Sequence, residues 1–171
     1  MKSICVIGSG ISGSTIANLL SKKYKVDVYE KAKGIGGRSS HRRYLNKLGF
    51  DHGLQYISPK TSKFKKFCSE LQKKRVLKKW QGPHNFVHSK VLENKKHTKL
   101  IGAKGNNAIS KYLLKNINCI FGYELFKIER IRKNWKLSFL NGDVKYYEIL
   151  IISIPFAQSK KLLNKFLPNF F

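Results

Sequence analysis

Residues Ser3 to Ile7 read as a short, continuous apolar strand, and the next six residues are Gly8-Ser9-Gly10-Ile11-Ser12-Gly13. A strand without polar alternation is buried on both faces, which suits a parallel sheet. Ile11 to Lys22 then reads as a helix with Ile16, Leu19 and Leu20 on one face. Lys22 and Lys23 fall at its C-terminal end, where cations suit the helix dipole. Lys25 to Glu30 returns as a second strand with Val26 and Val28 inward. Strand, glycine turn, helix and strand within about 30 residues make a βαβ unit. A unit of that kind admits few topologies, because its crossover is right-handed and its strands are parallel.

The glycines follow G-x-G-x-x-G in the context that the pattern requires, after a strand and at the start of a helix. Gly8 permits the tight turn, Gly10 lets backbone approach a pyrophosphate, and Gly13 lets helix and strand pack closely. Unpaired N–H groups at the helix start face that ligand. Glu30 ends the second strand, where a carboxylate accepts hydrogen bonds from a ribose diol and repels a 2′-phosphate. A dinucleotide is therefore the expected ligand.

A second glycine loop follows, with Gly34, Gly36, Gly37 and then Arg38. The stretch GSGISGSTIANLLSKKYKVDVYEKAKGIGGR resembles the N-terminal signature of flavoproteins with two dinucleotide-binding domains. The resemblance implies that Gly36 and Gly37 bring backbone against FAD and that Arg38 approaches its pyrophosphate, as a bidentate guanidinium can. Phe50-Asp51-His52-Gly53-Leu54-Gln55-Tyr56-Ile57 looks like the segment that follows the arginine motif in the renalase family. Lys104-Gly105-Asn106-Asn107 and Glu148 to Pro155 resemble later segments of that family in order. By that likeness Ser12, Arg38, Gln55 and Tyr56 contact FAD, and Leu125 offers backbone to adenine. The implied activity is FAD-dependent oxidation of a small molecule, a dihydronicotinamide isomer or an amine-like donor. The resemblance singles out no catalytic acid, base or nucleophile, since the flavin carries that chemistry.

Downstream, Phe50 to Ile57 reads as strand or turn, and Ser62 to Lys73 as an amphipathic helix with Phe64, Phe67, Cys68 and Leu71 at helical spacing. Val76 to Leu92 reads as short strands, Lys104 to Lys115 as a helix and Ile117 to Phe121 as a strand. Phe126 to Ile131, Trp135 to Leu140 and Val144 to Tyr147 read as a meander, its last turn Asn141-Gly142-Asp143. Glu148 to Ser153 reads as a buried strand and Phe156 to Phe166 as a closing helix. The expected architecture is α/β: one FAD-binding, Rossmann-like domain over residues 1–171, with a meander and a partial substrate-domain insertion over 58–100. Because relatives in the family are longer, the chain reads as a truncated or split product whose missing half a second polypeptide could supply. Its apolar end, Phe166 to Phe171, is an expected exposed patch.

Thirty-five Lys and Arg against nine Asp and Glu leave a formal charge of +26. Such a field attracts phosphorylated ligands and nucleic acid alike. The lysines are scattered through every segment, so nucleic-acid binding is the weaker expectation. Three dispersed cysteines suggest buried thiols in a reducing, cytoplasmic setting. His84 and His88 lack a third ligand, so no metal site is expected. The stretch from Ile4 to Leu20 is too polar to span a membrane. A remnant, either cofactor-free or FAD-binding but inactive, and a basic nucleic-acid-binding protein remain open beside the flavoprotein reading.

Overall fold

A computed structural model describes residues 2–44, 48–81 and 98–168. In chain order its elements are β1 (Ser3–Ile7), α1 (Ile11–Leu20), β2 (Lys25–Glu30), β3 (His41–Tyr44), β4 (Leu48–Asp51), α2 (Ser62–Lys73), β5 (Leu77–Lys79), β6 (Leu100–Gly102), α3 (Ala108–Leu113), β7 (Asn118–Phe121), β8 (Leu125–Ile131), β9 (Asn134–Phe139), β10 (Val144–Tyr147), β11 (Ile149–Ile152) and α4 (Phe156–Leu163). A short 3-10 turn, Gly37–Ser39, lies between β2 and β3.

The apolar run of β1 becomes the inner strand of a parallel sheet ordered β11-β1-β2-β7. Alternation sends its side chains to opposite faces. On one face Ile4 and Val6 join Val26, Val28, Ala17 and Leu114 beneath α1 and α3. On the other, Cys5, Ile7 and Tyr29 meet Leu125, Ile128, Leu137, Phe139 and Tyr147 of the antiparallel meander β10-β9-β8. The result is three layers: helices, parallel sheet and meander. Both faces of the sheet are covered, as a parallel sheet requires.

Aromatic packing and a buried polar chain join sheet to meander. The Tyr29 ring lies 4.8 Å from that of Phe139 and 5.3 Å from that of Tyr123. Tyr147 donates its hydroxyl proton to Asp27 Oδ2 at 2.8 Å. Its oxygen lies 2.9 Å from the Tyr29 hydroxyl, which must then be the donor of that pair. Asn118 Nδ2 occupies Asp27 Oδ1 at 2.7 Å. Burial, followed by its two hydrogen-bonded partners, pushes the Tyr147 phenol far above its ordinary range.

A second core gathers Cys68, Leu71, Leu77, Leu100, Ile109 and Leu113 from α2, β5, β6 and α3, together with Ile57 from the segment before α2. Ile57 and Leu100 pair backbone to backbone: Ile57 N donates to Leu100 O at 2.7 Å, and Leu100 N to Ile57 O at 2.9 Å. The helix α2 has the expected bounds, capped by Thr61 Oγ1, which accepts from Phe64 N at 3.3 Å. Phe64 stays at the surface, stacked on Phe67.

Several expected elements shift. The helix α1 stops at Leu20, and Leu19 is 56% exposed, because Gly13, Ala17 and Leu20 make the packed stripe with Ile16. Residues 104–107 form a turn rather than a first helical turn, with Gly105 at φ +101. The hairpin β3–β4 has no counterpart in the hydrophobic pattern, because both of its strands are largely exposed. The closing helix ends at Leu163, and Phe166 packs edge-on against Trp135 at 5.2 Å. Leu167 is 44% exposed, whereas residues 169–171 of the expected apolar patch lie outside the described residues. So do His84, His88 and the 82–92 part of the short strands expected over 76–92. Among the described residues no helix is long and apolar enough to cross a membrane.

Tyr147→Phe tests the link between sheet and meander. It strips Asp27 Oδ2 of its donor inside the protein, so urea unfolding should show a loss of about 1–3 kcal/mol. No change in the midpoint would mean that water replaces the bond.

Candidate functional site

Each glycine of the first loop has its own physical reason. Gly8 sits at φ +99, and a Cβ there would lie 2.7 Å from Ser153 O, just past the end of β11. At Gly13 a Cβ would lie 2.0 Å from Gly8 O, so α1 can approach β1 only with glycine there. Gly10 is different. Its φ of −67 and ψ of 177 suit any residue, and a Cβ would meet nothing nearer than Gly36 O at 4.0 Å. The protein's own packing does not demand glycine at that point. A bare stretch of backbone therefore faces outward where α1 begins.

The start of α1 is correspondingly open. No side chain caps it and no acid lies in its first turn. Its first bond with an Ncap acceptor is Ser14 N to Gly10 O at 2.9 Å, so the N–H groups of Ile11, Ser12 and Gly13 have no intrahelical acceptor. Ser12 is exposed on this turn.

The second glycine loop closes against the first. Gly36 N donates to Ser9 O at 3.2 Å, and a Cβ at Gly37 would lie 3.2 Å from Gly10 Cα. Behind it, Asn107 Nδ2 donates to Ile35 O at 3.1 Å, while Asn107 Oδ1 is buried without a partner. Arg38 stands exposed at the rim and makes no ion pair among the described residues.

Glu30 lies beneath the first loop, only 8% exposed. Its Oε2 accepts from Ser9 N at 2.9 Å and from Ser9 Oγ at 2.8 Å, and its Oε1 accepts from Ala32 N at 2.9 Å. The carboxylate thus ties the loop after β1 to the loop after β2. The chain preceding β8 runs alongside, with Tyr123 N donating to Glu30 O at 3.0 Å. Leu125 follows, its side chain buried in the core beneath the meander.

Gln55 and Tyr56 connect to these loops less directly. Leu54 N donates to Arg38 O at 3.0 Å, and Asn106 Nδ2 holds the Leu54 and Gln55 carbonyls at 2.6 and 3.2 Å. Gln55 is exposed. The Tyr56 ring packs on Trp80 at 5.5 Å, with Lys99 Nζ 4.4 Å from its centroid.

Ser9, Asn106 and Asn107 matter more than the sequence pattern suggests. Only the company of Gly8, Gly10 and Gly105 marks them in the sequence, because small polar residues beside turn glycines often bond to backbone. The cysteines offer no nucleophile. Burial and then the Glu30 charge push the Cys119 thiol up to about 11, and burial raises Cys5 well above its usual range. No group of three metal-ligating side chains occurs among the described residues.

Comparison with known proteins gives a family model and relatives of the same fold. The family model of the NAD(P)-binding Rossmann-like domain matches residues 6–71. Mouse renalase is 25% identical over 173 residues, which cover 95% of this chain and 49% of renalase. The chain thus spans about half the length of that relative. The crystal structure of the tetracycline destructase Tet(51) superposes with a TM-score of 0.60 at 14% identity, covering 95% of this chain and 41% of that one. At that identity the likeness concerns the fold alone.

The contrast between the glycines is testable without any ligand. Gly13→Ala should cost about 3 kcal/mol or more, or prevent folding, because a rigid backbone carbonyl occupies the space. Gly10→Ala should shift stability by no more than about 1 kcal/mol in either direction. Thermal melts followed by circular dichroism decide it, and equal losses in the two variants would refute the assignment.

Proposed function

We propose, from the likeness to mouse renalase and the match to the Rossmann-like NAD(P)-binding domain, that this chain binds FAD noncovalently and serves flavin-dependent oxidation of a small molecule. The observation that carries the reading is Gly10. Its glycine is unexplained by protein packing, and it adjoins an uncapped helix start. A pyrophosphate fits both features, since it needs close backbone approach and hydrogen-bond donors.

In this reading Gly8 and Gly13 shape the cradle, and the N–H groups at the start of α1, the Ser12 hydroxyl and Gly37 receive the phosphates. Arg38, exposed at the rim, supplies a bidentate fork for the same oxygens. Glu30 accepts from the adenosine ribose, and the Leu125 backbone lies along adenine. Gln55 and Tyr56 are assigned to the flavin side on the family likeness. When bound, FAD supplies the two-electron acceptor, and the protein's part is placement and exclusion of water. No acid or base of this chain is assigned to the reaction. A dihydronicotinamide isomer is the first choice of donor and an amine the second. Since the chain spans 49% of mouse renalase, enclosure of the flavin's far end is assigned to a counterpart of the relative's remaining half. The buried thiols suit a reducing, cytoplasmic setting.

Calorimetry should show FAD and ADP binding, with NADP much weaker. Gly10→Ala should fold normally yet lose about tenfold or more in ADP affinity, since a methyl group would stand where phosphate approaches. ADP bound equally well by wild type and Gly10→Ala would refute the cradle. Steady-state oxygen consumption by the 171 residues alone, with dihydronicotinamide and amine donors, should be negligible. Robust turnover would show that no counterpart is needed.

A further inference from the structure

A carboxylate offers about four acceptor positions, two on each oxygen. In Glu30 three are already taken within the chain. Ser9 fills both positions of Oε2 with its N–H and its hydroxyl, and Ala32 N fills one of Oε1. Ser9 is fully buried, and its hydroxyl donates to that carboxylate at 2.8 Å. The bond does not come from the glycine pattern, whose second position places no demand on a hydroxyl. Among the described residues it leaves Glu30 one open acceptor position, on Oε1.

We infer that Ser9 is a specificity-determining positioning residue: by saturating Oε2 it restricts Glu30 to one ribose hydroxyl instead of a chelated 2′,3′-diol. The inference rests on the reading of Glu30 as the ribose-binding acid. Ser9 does not touch the ligand. Its hydroxyl acts through the carboxylate, by keeping Oε2 occupied so that the open position on Oε1 is what remains for a ligand.

The test compares ADP, 2′-deoxy-ADP, 3′-deoxy-ADP and inorganic pyrophosphate by calorimetry on the full chain. In the wild type only one of the two deoxy analogues should bind more weakly than ADP, by roughly tenfold or more, as for a hydrogen bond to a charged acceptor. Comparable losses for both analogues would reveal a chelated diol and overturn the inference on wild-type protein alone. Equal affinity of ADP and both analogues would overturn the reading of Glu30 itself. In Ser9→Ala, checked for folding by circular dichroism, the discrimination between the two analogues should shrink severalfold while pyrophosphate affinity stays unchanged. Unaltered discrimination, or an equal loss for all four probes, would reduce Ser9 to a structural part of the loop. A wild type that binds pyrophosphate but not ADP would overturn the dinucleotide reading and this inference with it.

Discussion

The approach of Gly13 to the Gly8 carbonyl is the contact on which the arrangement depends. A Cβ at Gly13 would stand 2.0 Å from that oxygen, so α1 can lie against β1 only because one hydrogen replaces a side chain. That closeness lets Ala17 and Ile16 reach Ile4, Val6, Val26 and Val28. It also aims the open start of α1 across the end of the sheet, next to Gly36 and Gly37. Burial on one face and an exposed cradle at the strand end are two results of the same contact. A larger residue would lose both.

Polar groups hold what close packing begins. Glu30 fastens the two loops through Ser9 and Ala32, and Asn107 fastens the second loop to the start of α3 through Ile35. Asn106 does the same for the segment that follows the hairpin, through Leu54 and Gln55, and for the end of β6, through Gly102. These side chains are buried, and buried polar groups are costly unless bonded. They therefore specify one loop arrangement. On the opposite face, Asp27, Tyr29 and Tyr147 perform a comparable role between sheet and meander. The scattered positive charge plays no part in these joints, and its lysines lie mainly at the surface.

Legibility followed the range of the interaction. The βαβ unit was readable because periodicity and glycine spacing are local signals, and the bounds of β1, β2 and α2 agree with expectation. The hairpin β3–β4 was not readable, because its strands carry exposed Arg42, Arg43, Tyr44 and Phe50 in place of an apolar alternation. Leu19 was expected on one apolar face with Ile16 and Leu20, yet the stripe through Gly13, Ala17 and Leu20 turns it to solvent. The first turn expected for α3 is unwound because Asn106 bonds to three other segments instead of a helix. No pattern within a short window could reveal that choice.

By itself the sequence determined the parallel strand pair, the glycine cradle between its members and the acid that ends the second strand, since each depends on neighbours a few residues apart. Tertiary structure alone decided that Ser9 would occupy the Glu30 carboxylate, that Tyr147 would reach Asp27, and that Ile57 would close against Leu100. Those partners are separated by 21 and 120 positions in the first two cases. Their pairing follows from which surfaces must be buried together and which polar atoms are left needing a partner once they are. Local preference cannot encode that requirement, because it exists only after the layers have met.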